Sequence, residues 1–204
     1  MTLSIRGAFL SIALIAVSAA GAFAADQTAV FAGGCFWGVE AVFEHVKGVK
    51  SVVSGYSGGT ANTATYEDVS SGVTDHAESV KVVFDPDIVT YQQLLFVFFS
   101  VAHDPTELNR QGPDHGRQYR SAIFYADASQ KTAALAFIKA IDESKALPKK
   151  VVTAVVPLKA FYDAEKYHQD YMKKNPDDRY ILINDKPKVE ALKQKFPELY
   201  VGNR

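Results

Sequence analysis

The chain has one cysteine and one tryptophan, and they lie two residues apart, in Gly33-Gly34-Cys35-Phe36-Trp37-Gly38. The thiolate is the reactive form of cysteine, and a free thiol with a pKa near ~8.5 is only a few per cent ionised at neutral pH. The first turn of a helix offers unpaired N–H groups and the positive end of the helix dipole, which favour an anion and lower that value. Two glycines in a row end a strand and turn the backbone, which lands Cys35 at such a helix start. Phe36 and Trp37 add aromatic faces that can wall an apolar pocket for a small methyl group. The competing readings are an inert, buried cysteine and two rings that simply belong to the core.

Hydrophobic periodicity supplies the frame around that segment. Residues 28–32 read as a strand, and residues 36–45 as a helix, with Phe36, Val39, Phe43 and Val46 near helical spacing and Gly48 as its stop. Further strands are expected over 49–56, 79–84, 121–125 and 151–156; Val80, Val82 and Phe84 alternate onto one face of the second. Gly58, Gly59 and Asn62 mark 57–65 as loop, and 103–116 is a second loop, rich in Asp, Pro and Gly. A helix over 87–102 would carry Ile88, Tyr91, Leu95, Phe98 and Phe99 on its apolar face. Ser129 is read as the cap of a helix to about Ile141, with Leu135, Ile138 and Ile141 inward. Another helix is expected from about Asp163 to Asn175-Pro176, and a last one from Pro187 through Val189, Leu192 and Phe196. This order predicts an α+β fold: a two-layer α/β sandwich on a ferredoxin-like split β-α-β plan, with a mixed sheet and appended helices.

Composition fits one globular domain, with 48% hydrophobic and 22% charged residues, and a net charge of -1 gives no electrostatic reason to expect nucleic acid. The N-terminus reads as an export signal. Arg6 precedes an apolar run from Ala8 to about Ala20, and Ala22-Phe23-Ala24 presents small residues where a signal peptidase reads. Cleavage is expected between Ala24 and Ala25, leaving residues 25–204 as a single domain; the alternative is an uncleaved anchor. Either way the domain is expected outside the cytoplasm, in the periplasm after cleavage. Exported domains usually use cysteines in pairs, so a lone one is either sealed away or kept for chemistry.

Gly34-Cys35-Phe36-Trp37-Gly38-Val39-Glu40 resembles the signature of the A-type peptide-methionine sulfoxide reductases. Gly55-Tyr56-Ser57-Gly58-Gly59, Thr65-Tyr66-Glu67-Asp68-Val69 and Ser71-Gly72-Val73-Thr74-Asp75-His76-Ala77-Glu78 resemble that family in order and spacing. So do His103-Asp104-Pro105, the run from Gln111 through Asp114 and Tyr119 to Ser121, and Tyr167-His168-Gln169-Asp170-Tyr171. The resemblance implies a reductase of methionine-S-sulfoxide, free or in proteins, that repairs oxidised proteins with no bound cofactor and no metal. It implies that Cys35 attacks the sulfoxide sulfur, that Phe36 and Trp37 line the pocket for its S-methyl group, and that Glu78 supplies a proton to its oxygen. Tyr66 and Tyr119 would donate hydrogen bonds to that oxygen, and Asp114 would shape the loop behind them. His168 and Tyr171 fall in a matching segment with no specific role carried over. Chemistry agrees with this division of labour. A sulfoxide oxygen leaves poorly until protonated, so attack needs an acid within hydrogen-bond reach. Burial among apolar groups raises a glutamate's pKa, and phenols stabilise charge on oxygen. The step leaves a cysteine sulfenic acid. Taken singly, Glu78 reads more readily as a solvated strand edge and each tyrosine as packing, and Asp114 can be a turn residue.

Many members of that family carry further cysteines toward the C-terminus, which attack the sulfenic acid; the segment from Asn184 to Arg204 has none. Regeneration is therefore expected from an external thiol, either a thioredoxin-like or glutaredoxin-like protein or a small thiol. The expected state is a monomer acting on oxidised proteins or peptides, with no stable membrane association once the signal is removed. Two other classes stay in view. One is a Cys-His hydrolase or acyltransferase, in which a histidine pairs with Cys35, though no hydrolase motif surrounds it. The other is a metal carrier using His45, His76, His103, His115 and His168, whose spacings match no familiar metal pattern.

Overall fold

The computed structural model describes residues 24–202; apart from Ala24, the expected export signal lies outside them. Alternation along the first strand decides the layering. In β1 (Gln27–Gly33), Ala29 and Phe31 point into the larger core under the helices, while Val30 and Ala32 face a smaller apolar cluster with Ala77, Ala122 and Phe124. Apolar residues on both faces suit a central strand. The chain continues through α1 (Phe36–Glu44), β2 (Val49–Ser57), the short α2 (Tyr66–Ser70), β3 (Ala77–Phe84) and α3 (Tyr91–Val97). A two-residue ladder pairs β4 (Arg110–Gln111) with β5 (Asp114–His115). Then come β6 (Ser121–Tyr125), α4 (Ala128–Ser144), β7 (Ala154–Pro157), β8 (Phe161–Asp163), α5 (Tyr171–Lys174) and α6 (Lys186–Lys195).

Six strands form one sheet in the order β7-β6-β1-β3-β2-β8. The central four, β6-β1-β3-β2, are antiparallel neighbours, as a split β-α-β plan requires, and β7 runs parallel to β6, which makes the sheet mixed. Phe31 locks the helices to the sheet: its ring stacks on Phe43 of α1 at 5.1 Å and on Phe98 at 4.9 Å. Fully burying one such side chain stabilises by about 1.5–3 kcal/mol. The expected α+β sandwich is the fold observed.

Four local expectations change. The helix expected from Asp87 starts at Tyr91, because Thr90 and Gln93 form a capping box there; Ile88 is left in the preceding turn, 50% exposed. That helix ends in a π-helical turn, Phe98–Ala102. The cap of α4 is Asp127, not Ser129: its carboxylate accepts the Gln130 N–H at 2.9 Å, and the Gln130 side chain accepts the Ala126 N–H at 3.0 Å. With that start Leu135 turns outward, 48% exposed, while Ile138 and Ile141 still pack on the core. The strand expected over 151–156 begins at Ala154 instead. The helix expected from Asp163 is instead edge strand β8, then turns, then the single turn α5, which begins after Asp170 at φ +52°.

Candidate active site

Strand β1 leads directly into Cys35. After Gly33 the backbone passes through Gly34 at φ +93°, where an added Cβ would lie 2.5 Å from the side chain of Gln111. Cys35 then occupies the N-cap of α1, 8% exposed. The expected lowering of its pKa does not occur. Burial, then Glu78, then Asp185 push the thiol well above its usual range, against the opposite pull of the Trp37 backbone N–H and Lys188. Burial costs an anion more than one helix start returns, so the resting thiol is protonated.

Glu78 sits on β3, opposite Tyr56 of β2, and is 2% exposed. Its carboxylate accepts the backbone N–H of Phe36 at 3.0 Å, which ties the acid to the residue following the thiol. Burial raises its pKa to about 8; the Phe36 bond pulls it down, and Asp114 and Asp185 push it up. The competing reading of a solvated strand edge fails on that burial. Tyr66, the first residue of α2, and Tyr119, just before β6, flank this pair. Both phenols are raised by burial first and by the charges of Glu78 and Cys35 after it, so both stay neutral. Glu165 positions Tyr66 by accepting its backbone N–H at 2.9 Å, and it accepts the Tyr56 hydroxyl at 2.8 Å.

The aromatic wall is built around the same turn. Phe36 is fully buried against Tyr56 and His168, at ring-centroid distances of 5.9 and 5.0 Å. The Trp37 indole N–H donates to Nδ1 of His168 at 3.1 Å, and its ring lies flat on Tyr171 at 3.7 Å. This gives His168 and Tyr171 their place: they fix the plane of the tryptophan. On the other side, Cys35 opens into a cavity of about 90 Å³ lined by Gln111, Gly112, Pro113, Asp114, Tyr180, Asn184 and Lys188 as well. Asp114 accepts a short hydrogen bond from the Tyr180 hydroxyl. Of the residues implied by resemblance, Asp114 alone shares that cavity wall with Cys35, while Trp37 meets its Tyr180 edge-on at 6.0 Å.

Sequence reasoning missed Tyr180, Asp185 and Lys188, because they follow the segments that resemble the family and sit in a stretch dense in ordinary charges. His103 and His76 are engaged away from Cys35. His103 contacts the Phe98 carbonyl and the Ser121 hydroxyl, and burial lowers its pKa to about 4; His76 contacts the Thr60 carbonyl. Among the described residues no histidine hydrogen-bonds Cys35, and no three His, Cys, Asp or Glu residues cluster as a metal site.

Residues 27–200 match the family model described as peptide methionine sulfoxide reductase. The chain belongs to that family. It is 56% identical over 175 residues to peptide methionine sulfoxide reductase MsrA 2 of Mesorhizobium japonicum, covering 86% of this chain and 90% of the relative. The reduced form of Mxr1 from Saccharomyces cerevisiae superposes with a TM-score of 0.68 at 34% identity, covering 74% of this chain and 87% of that one. A complex of Mxr1 with Trx2 shares the fold, at TM-score 0.50 and 23% identity over 77% of this chain and 91% of Mxr1. The protein is thus an oxidoreductase that acts on sulfur and reduces methionine sulfoxide in the repair of oxidised proteins.

Proposed function

We propose that this reductase works through Cys35 as nucleophile and Glu78 as proton donor, on the S epimer of methionine sulfoxide, free or in peptides. The observation that carries the reading is one hydrogen bond: the Phe36 N–H fixes a buried, protonated Glu78 beside the only thiol in the chain. As the Cys35 sulfur attacks, its electron pair forms a bond to the sulfoxide sulfur and the S–O bond breaks; the released hydroxide then bonds to the Cys35 sulfur, and the S–S bond breaks with its electron pair left on the methionine sulfur. Glu78 delivers a proton to the departing oxygen, and the proton lost by the thiol replaces it. Thiol and sulfoxide become sulfenic acid and thioether with no net proton exchange with solvent. Tyr66 and Tyr119 donate to the oxygen as it gains charge. Phe36 and Trp37 receive the methyl group, the indole held flat by Tyr171 and His168.

Regeneration falls to an external thiol, since no second cysteine exists in the 204 residues. The donor sulfur attacks the sulfenic acid and releases water, and a second donor thiol cleaves the mixed disulfide. A thioredoxin-like protein fits that role, and the yeast relative has been solved with Trx2; a glutaredoxin-like protein or a small thiol remains a defined alternative. From the expected export signal we propose a periplasmic location for the domain of residues 25–204, acting as a monomer. The test uses separated sulfoxide epimers with dithiothreitol as donor. Wild type reduces one epimer and Cys35→Ser reduces neither. Activity surviving in Cys35→Ser removes the assignment.

A further inference from the structure

Charged groups converge on Cys35 from several elements. Glu78 comes from β3, Asp114 from β5, Asp185 from a π-helical turn (Ile181–Asp185) and Lys188 from the first turn of α6. Among them Lys188 is the cation. The phenols of Tyr66, Tyr119, Tyr171 and Tyr180 complete the surroundings, each held neutral by burial first.

Asp185 is completely buried against Gly38, where an added Cβ would fall 2.1 Å from its Oδ1. The bare backbone of Gly38 admits that carboxylate into the first turn of α1, beneath the nucleophile. Oδ1 holds the Lys188 ammonium at 3.1 Å, and Oδ2 is buried with no hydrogen-bond partner among the described residues. A buried ion pair costs desolvation that its own attraction seldom exceeds, so it is poorly explained by stability alone. Here the ammonium also lines the small cavity onto which Cys35 opens, a space with room for only a few water molecules.

We propose that Lys188, fixed by Asp185, is a positioning residue that favours charge on the Cys35 sulfur. It acts twice: when the thiol ionises to attack the sulfoxide, and when the same sulfur departs as thiolate from the mixed disulfide with the donor. The inference deepens the reading of Cys35 as nucleophile and rests on it. The two members of the pair act with opposite sign on the sulfur. Lys188 favours the thiolate; Asp185 opposes it while orienting the ammonium. A nearby cation favours the charged form of a thiol and a nearby anion opposes it.

The measurement is the pH profile of Cys35 alkylation by iodoacetamide on the folded chain. With one cysteine in the chain, it reports on that sulfur whether or not the sulfur does the catalysis. Lys188→Met is expected to move the midpoint up by about one unit, slowing alkylation about tenfold at neutral pH, and Lys188→Arg to restore most of the rate. Asp185→Asn, which keeps an oxygen for Lys188, is expected to move the midpoint down. A pair that serves only the fold would shift both variants the same way or neither, and either result overturns the proposal. Should Lys188→Met fail to fold, Lys188→Gln replaces it, and the sign of the Asp185→Asn shift decides independently. An unchanged profile sinks the role of Lys188 and leaves Cys35 as nucleophile; an active Cys35→Ser sinks the latter instead.

Discussion

Glu78 holds its proton near neutrality because burial outweighs the single backbone hydrogen bond that favours its charged form. That balance makes its titration visible in the rate. Activity with dithiothreitol should fall as pH rises through about 8, where the acid loses its proton, once the independent rise in donor thiolate is corrected for. Glu78→Gln keeps an oxygen for the Phe36 N–H and loses the proton, so kcat is expected to drop by about 10²–10⁴ with KM little changed. Steady-state kinetics on one epimer across pH 6–10 checks both statements; a glutamine variant with nearly full activity across that range removes Glu78 as donor. Trp37 makes a softer prediction. Trp37→Phe removes the N–H that meets His168 while keeping a ring for Tyr171 to stack on. KM should rise a few-fold with a smaller change in kcat, since one neutral hydrogen bond contributes about 0.5–1.5 kcal/mol.

At the level of elements, the strand-turn-helix that carries Cys35 leaves little freedom. Gly34→Ala would place a methyl group 2.5 Å from Gln111 at a backbone angle that favours glycine. A loss of roughly 1–3 kcal/mol and a disturbed cavity wall are expected, read by urea unfolding together with Cys35 alkylation rates. Asp127→Ala, far from the chemistry, should cost about 1 kcal/mol through the lost cap of α4 and leave activity unchanged. The contrast between these sites also explains what was legible in the sequence. β1, α1, β2 and β3 could be read because period-2 and period-3.6 apolar patterns coincide there with glycine stops. The α4 cap could have been read too, since Asp127 with Gln130 three residues on is a capping pattern, yet Ser129 was the more familiar cap near the apolar run. The stretch 163–175 could not, because its helix-like spacing is overridden by pairing: Asp163 is recruited to the sheet edge opposite Gly55. Resemblance located the Cys35–Glu78 pair, but only folding reveals Tyr180, Asp185 and Lys188, whose roles depend on the tail returning over α1.

Across the whole molecule, two buried acids make stability depend on pH. Glu78 and Glu40 are each raised from an ordinary 4.5 to about 8, in both cases by burial first. Between those values these two acids keep protons in the native chain that the unfolded chain has released, so their contribution to stability falls as pH rises from about 4.5 to about 8, while His103, lowered to about 4, contributes with the opposite sign below its ordinary 6.5. Glu78→Gln abolishes one of these losses. Its melting temperature is expected to exceed that of wild type by several degrees at pH 8.5 and by much less at pH 5. Calorimetry at the two pH values checks this, and equal differences at both would refute it. The lone thiol has a consequence at this same scale. Helix α6 packs on α1 without bringing a second thiol, so under the proposed mechanism each turnover leaves an oxygen atom on Cys35 until a thiol arrives from outside. Throughput then meters the reducing supply of the surroundings, and a starved enzyme waits in the form most exposed to irreversible loss as a sulfinate.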